Sequence, residues 1–230
     1  MATLVLLPAG NPSGAAAQVA TPAVTYSCES VPTASPVAWM HGMAMGTPTA
    51  AMDHAAVALD QAYIDMMIPH HQSIIPVAEA ALPRLTDERL REIAQAVVAT
   101  QQPDIEELRG YREQWYGSAE PMPMDEAMMA AMVELLPGIS GTMEEMAFQM
   151  DAPAQVAAFC AAENPDLAFI DQTIPHHQMA IEASEVALEQ ATHPEVRDVA
   201  QRVIDAQQRE IETLTEIRSE IAVSATPSSS

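Results

Sequence analysis

Aromatic side chains are scarce in this chain: Phe, Trp and Tyr supply only 4% of 230 residues, and there are just 8 glycines. An Ala- and Met-rich composition of that kind favours helices, and no segment reads as a strand. Cations are as scarce as the aromatics. The balance of 9 Lys+Arg against 32 Asp+Glu gives a formal charge of −23. Such a surface repels phosphate backbones and anionic lipid heads, which excludes nucleic acid as a partner, and it attracts cations. Only 2 cysteines are present, Cys28 and Cys160, too few for a disulfide-built scaffold. They form either one disulfide tying the N-terminal segment to the rest or two free thiols, Cys160 lying in the apolar stretch QVAAFCAA. No apolar run is long enough to make an integral membrane segment.

Catalytic signatures are missing too. There is no HExxH, no Cys/His zinc spacing, no Gly-rich phosphate loop and no evident nucleophile–base pair. No histidine has a Glu three residues before it, so the Glu-x-x-His pattern of di-iron bundles is absent. These gaps favour a binding protein over an enzyme.

What the chain does have, it has twice. Residues 60–75 read DQAYIDMMIPHHQSII and residues 166–181 read DLAFIDQTIPHHQMAI. The offset, 176 − 70 = 106, continues past the motif: Arg91, Gln101, Ile105 and Leu108 recur as Arg197, Gln207, Ile211 and Leu214. A repeat of this length points to one supersecondary unit used twice. Four of the 7 histidines sit in the two His-His pairs.

The first 50 residues are rich in Pro, Ala, Thr, Ser and Gly without helical or strand period, and are expected to be disordered. Their start resembles the end of an export signal: Leu4–Leu7 as a short apolar part, then Ala15-Ala16-Ala17 as a small-residue cleavage site, without a positive n-region. This points to an extracytoplasmic protein. Residues 53–221 are expected to form a four-helix bundle, with repeats at about 55–116 and 160–221 and a Met-rich connector at 117–159. Helix 1 is placed from about Ala55 to Leu82. Helix 2 follows a Thr86 or Asp87 cap and runs to Tyr116. The connector holds one or two short helices around Pro137-Gly138. Helix 3 spans Pro165 to Glu189, and helix 4 starts at Pro194 and runs to about Ile221.

At about 100° per residue, His71 and Gln101 fall on the apolar stripes of their helices, as do His177 and Gln207. His70 and His176 are rotated about 100° away, toward an edge. Gln101 and Gln207 are therefore the expected partners of the inward histidines. Pro69 and Pro175 sit inside helices directly before the pairs. Each costs on the order of 3 kcal/mol and frees the carbonyl of Asp65 or Asp171, which suits a helix that re-aims its histidines.

Thioethers accompany the imidazoles. Met66 precedes His70, and Met67 precedes His71, by one helical turn, and His41, Met43 and Met45 cluster in the N-terminal segment. Imidazole with thioether suits copper, Cu(I) above all, with other divalent metals as the wider class. Asp65 and Asp171 are candidates for outer-sphere or hard-metal ligands. Copy two carries Gln172 and Thr173 where copy one has Met66 and Met67, so the two sites are not expected to be equivalent.

The stretches Tyr63-Ile64-Asp65-Met66-Met67-Ile68-Pro69-His70-His71 and Phe169-Ile170-Asp171-Gln172-Thr173-Ile174-Pro175-His176-His177 resemble the bacterial domain-of-unknown-function family 305, DUF305, over about residues 53–218. The resemblance implies an exported, ferritin-like, all-α bundle, with some members linked to copper binding and tolerance. It departs at Pro76, where the family has a helix-friendly residue, and at Gln172-Thr173. The reading is an extracytoplasmic copper-binding protein, acting as buffer, carrier or tolerance factor. The metal ligands are His70, His71, His176 and His177, then Met66, Met67, His41, Met43, Met45, Asp65 and Asp171. The alternatives are a ferritin-like metal-dependent oxidase, or a structural module whose histidines only satisfy core Gln and Asp. No protein partner can be named.

Overall fold

The computed structural model describes residues 27–29 and 58–224. The rest of the expected tail, with His41, Met43 and Met45, lies outside the described residues. Among the described residues seven helices follow in order: α1 (Leu59–Ala81), α2 (Glu88–Tyr116), α3 (Glu126–Leu135), α4 (Met143–Gln149), α5 (Ala152–Ala161), α6 (Pro165–Gln190) and α7 (Pro194–Ser224). The four long helices are the two repeats. Helix α1 pairs with α2 and α6 with α7, and the hairpins meet chiefly through α1 against α6. Among the described residues no helix is long and apolar enough to cross a membrane.

Local chemistry fixes the helix ends. Asp87, one of the two expected caps, accepts from the Arg89 amide at the start of α2. The same helix ends on Gly117 at φ 80°, a left-handed position that suits glycine. Thr142 and Glu145 form a reciprocal capping box on α4. Helix α5 went unforeseen: its Ala-rich run has little amphipathic period, and Pro153 reads as a breaker although it sits harmlessly in the first turn. Cys160 lies on α5 and is disulfide-bonded to Cys28, which settles the cysteine alternatives. Arg84 sits over the Phe159 ring at 5.2 Å and donates to the carbonyls of Phe159, Cys160 and Ala162, satisfying the end of α5.

The first aspartate of each motif clasps the opposite repeat. Asp60 on α1 accepts from the backbone N–H groups of Thr192 and His193, both at 2.8 Å, in the α6–α7 turn. Its counterpart Asp166 on α6 accepts from the Thr86 N–H at 2.8 Å, and from the Thr86 hydroxyl, in the α1–α2 turn. The second aspartate pairs within its own hairpin, Asp65 with Arg112 and Asp171 with Arg218.

The apolar core comes in two blocks. One contains the N-terminal half of α1 (Tyr63 to Ile68) with the C-terminal half of α6 (Met179 to Ala187), Ile105 and Leu108 of α2, and Val196 to Val203 of α7. The other contains Ile74 to Ala81, Leu90 to Val97, Phe169 and Ile170, with Leu214 and Ile217. Both blocks pair the start of one helix with the end of its neighbour, so α1 and α6 run antiparallel. Between them, on all four long helices, lies a buried polar layer of His70, His71, Ser73, Gln101, Thr173, His176, His177 and Gln207.

Candidate metal centre

All four motif histidines are fully buried in this layer. His71 and His177 face inward as their stripe predicts. His70 and His176 do not lie at an edge: their rings stack on each other across the α1–α6 interface, centroids 3.6 Å apart and tilted by 31°. The helical-wheel expectation fails here because the buried face is wider than one apolar stripe. From Ala62 to Ala81 on α1 only Gln72 is exposed, and on α6 His176 lies on the covered face although Asp171, Pro175 and Gln178 are exposed. Helices α2, α5 and α6 cover α1, with smaller contributions from α3 and α4. Residues related by the 106-residue offset therefore touch each other, and the internal two-fold axis passes between these two rings.

The expected Gln partners are not the ones found. Gln101 and Gln207 are buried, but their Oε1 atoms have no hydrogen-bond partner. One turn further along, Glu210 binds His177 Nε2 at 2.6 Å, while Asp104 stays 3.9 Å from His71 Nε2. His176 Nε2 lies 3.0 Å from the His70 carbonyl and 3.0 Å from Ser73 Oγ. A carbonyl and a carboxylate only accept. His176 and His177 therefore both carry a proton on Nε2, and their Nδ1 atoms have no hydrogen-bond partner. His70 and His71 have neither ring nitrogen satisfied.

Burial keeps His70, His71 and His176 neutral. Desolvation, then the neighbouring His71 and His177, hold His70 well below the ordinary histidine range. Desolvation, then His70, do the same to His176. His71 is pushed down to about 3 by desolvation, with His177 adding to it. Neutral imidazole is the form that binds metals. In all, His70, His71, His176 and His177 present six buried ring nitrogens without a hydrogen-bond partner. Leaving a buried polar atom unpaired costs roughly 1–3 kcal/mol, so this layer works against the stability of the fold unless a ligand or water pairs with it.

The other predicted ligands are placed as follows. Met66 and Met67 are fully buried on α1, one helical turn before the histidines, within the first apolar block. Asp65 is engaged by Arg112 and by the Met122 N–H, and Asp171 by Arg218 at the surface. Among the described residues no three His, Cys, Asp or Glu side chains converge as a ready-made metal cage. Residues that sequence reasoning missed are Ser73, Asp104 and Glu210. The last two follow the Gln-Gln pairs at the same interval in both copies, and that spacing was the available signal.

A model for the domain of unknown function DUF305 matches residues 60–218. The chain belongs to the DUF305 family. Solved structures agree with that assignment. CopM in the Cu(I)-bound form is 26% identical, with a TM-score of 0.54, over 70% of this chain and 96% of that one. CopM in the Cu(II)-bound form is 28% identical over 70% and 97%, again at 0.54. CopM has also been solved with Ag bound, at 27% identity. A DUF305 protein from Streptomyces coelicolor is 19% identical with a TM-score of 0.55, over 71% of this chain and 93% of its own, a likeness of fold alone. Comparison with curated proteins returns no match.

Proposed function

We propose that this protein binds Cu(I) in the buried layer between its two apolar blocks and serves outside the cytoplasm as a copper buffer or carrier. The observation that carries the reading is the set of buried, unpartnered imidazole nitrogens on His70, His71, His176 and His177. His177 has the arrangement typical of a metal-ligating histidine, with one ring nitrogen on a carboxylate and the other without a hydrogen-bond partner. The thioethers of Met66 and Met67 give the site soft neighbours. The described residues do not supply the convergent cage that zinc or a di-iron pair takes. An ion content with few soft ligands fits best. The likeness to CopM, whose structures contain Cu(I), Cu(II) and Ag, supports the same ion class. In this reading Asp65 and Asp171 serve the bundle through their arginines, and His41, Met43 and Met45 form a separate, weaker copper site.

The Cys28–Cys160 disulfide supports an oxidising compartment. The excess of acid over base draws cations to the surface from a distance. The test is anaerobic competition against a Cu(I) chelator, comparing the wild type with a variant carrying Ala at His70, His71, His176 and His177. The variant should lose the tight Cu(I) sites and retain only weak binding, and the wild type should prefer Cu(I) to Zn(II). Full, tight Cu(I) binding by a folded quadruple variant would overturn the assignment.

A further inference from the structure

A pocket of about 320 Å³ opens between α4 and α6, outside the imidazole layer. Its rim is exposed and polar, formed by Ser140, Glu145 and Gln178. Its floor is buried: Met146 and Met179 are each 4% exposed, and Gln149 is 8% exposed. The Gln149 Oε1 has no hydrogen-bond partner. Two thioethers and an unpartnered amide oxygen beneath a carboxylate rim are an unusual lining for a cleft that merely sheds water. Thioether sulfur is a weak hydrogen-bond acceptor but a good ligand for soft cations. The loop that shapes the pocket is pinned to α6, since Ser140 donates its N–H at 2.7 Å, and its hydroxyl at 2.9 Å, to Glu182.

The floor also leads inward. The Gln149 carbonyl accepts from Ser73 Oγ at 2.5 Å, and Ser73 Oγ lies 3.0 Å from His176 Nε2. One side chain thus separates the pocket floor from the imidazole layer. Met179 is the repeat counterpart of Ser73, since 179 − 73 = 106.

We propose that this pocket is a second metal site, in which Met146, Met179 and Gln149 Oε1 hold a soft monovalent cation on its way to the histidines. The binding claim stands on the pocket alone, and the loading role rests on the copper reading above. The probe is Ag(I), a redox-inert soft cation, added to the full chain labelled with carbon-13 at the methionine methyls. Met146→Leu and Met179→Leu identify the two signals and nearly conserve volume, so the fold is retained. Both methyl signals should shift on adding Ag(I), in the wild type and in the quadruple His→Ala variant alike. If neither moves at saturating Ag(I), the pocket is not a site. The Met146→Leu/Met179→Leu double variant should fill its histidines with Ag(I) at least tenfold more slowly, read from the imidazole proton signals, with the same final occupancy. Filling at the wild-type rate would overturn the loading role. If the methyls shift while the quadruple variant keeps full, tight Cu(I) binding, the histidine reading fails and the pocket stands.

Discussion

The two copies of the motif share their histidines but not their surroundings. In copy two each imidazole is held, His176 by Ser73 and the His70 carbonyl, and His177 by Glu210. In copy one neither His70 nor His71 makes a hydrogen bond through its ring. The cause lies outside the motif. Glu210 is one methylene longer than its counterpart Asp104, and it reaches its histidine. Asp104 falls short and leans toward Arg202, 3.6 Å away. Position 96, the counterpart of Arg202, is Ala, so no equivalent arginine draws on Glu210. The acid–base pairs differ likewise. Asp65 and Arg112 are buried, at 0% and 6% side-chain exposure, whereas Asp171 and Arg218 are 51% and 58% exposed. A repeated sequence therefore yields one half with fixed tautomers and one half free to choose them. In the copper reading the fixed half orients the ion and the free half adjusts to it.

The largest expected contrast is between the arginines. Arg112→Ala leaves Asp65 buried without its cation and should cost about 3–5 kcal/mol. Arg218→Ala breaks an exposed pair and should cost less than about 1 kcal/mol. Urea denaturation of the metal-free proteins measures both, and equal losses would erase the distinction between the halves. A smaller contrast separates the histidines. His177→Leu strands the part-buried carboxylate of Glu210 and should destabilise the metal-free protein by about 1–3 kcal/mol. His71→Leu removes two unsatisfied ring nitrogens and should be neutral or stabilising, the opposite order being evidence that copy one is the anchored half.

Acid provides the finest test. Folded His71 stays neutral down to about pH 3, against an ordinary value of 6.5. Between those values the unfolded chain binds the extra proton, so stability falls as pH drops through that window. Each such histidine contributes a slope of at most about 1.4 kcal/mol per pH unit. His71→Leu should flatten the stability profile of the metal-free protein between pH 6 and pH 4 by about that amount, as followed by urea midpoints. An unchanged profile would mean that His71 is protonated in the folded state.

Much of the architecture was legible in the sequence. The doubled motif, the four long helices and the burial of His71 and His177 follow from period and caps. The placement of His70 and His176 does not, because a helical wheel marks one apolar stripe, whereas helices from both repeats bury a wider face of α1 and α6. Ser73 was illegible for a related reason: its partners, Gln149 and His176, are 76 and 103 residues away. Asp60 and Asp166 were visible as repeated letters, but only the antiparallel docking of the hairpins shows each clasping the other's turn. Helix α5 was hidden by its weak amphipathicity.

The bond between Cys28 and Cys160 spans 132 residues, and helices α1 to α4 lie wholly within the loop it closes. Tension applied between a point before Cys28 and a point after Cys160 travels across the sulfur bridge and never through the first hairpin. Pulled from outside the loop, the second hairpin is loaded directly and gives way while α1 and α2 are covalently sheltered from the force. Reduction of the bridge would place α1 to α4 in the line of pull as well and lengthen the chain released on unfolding.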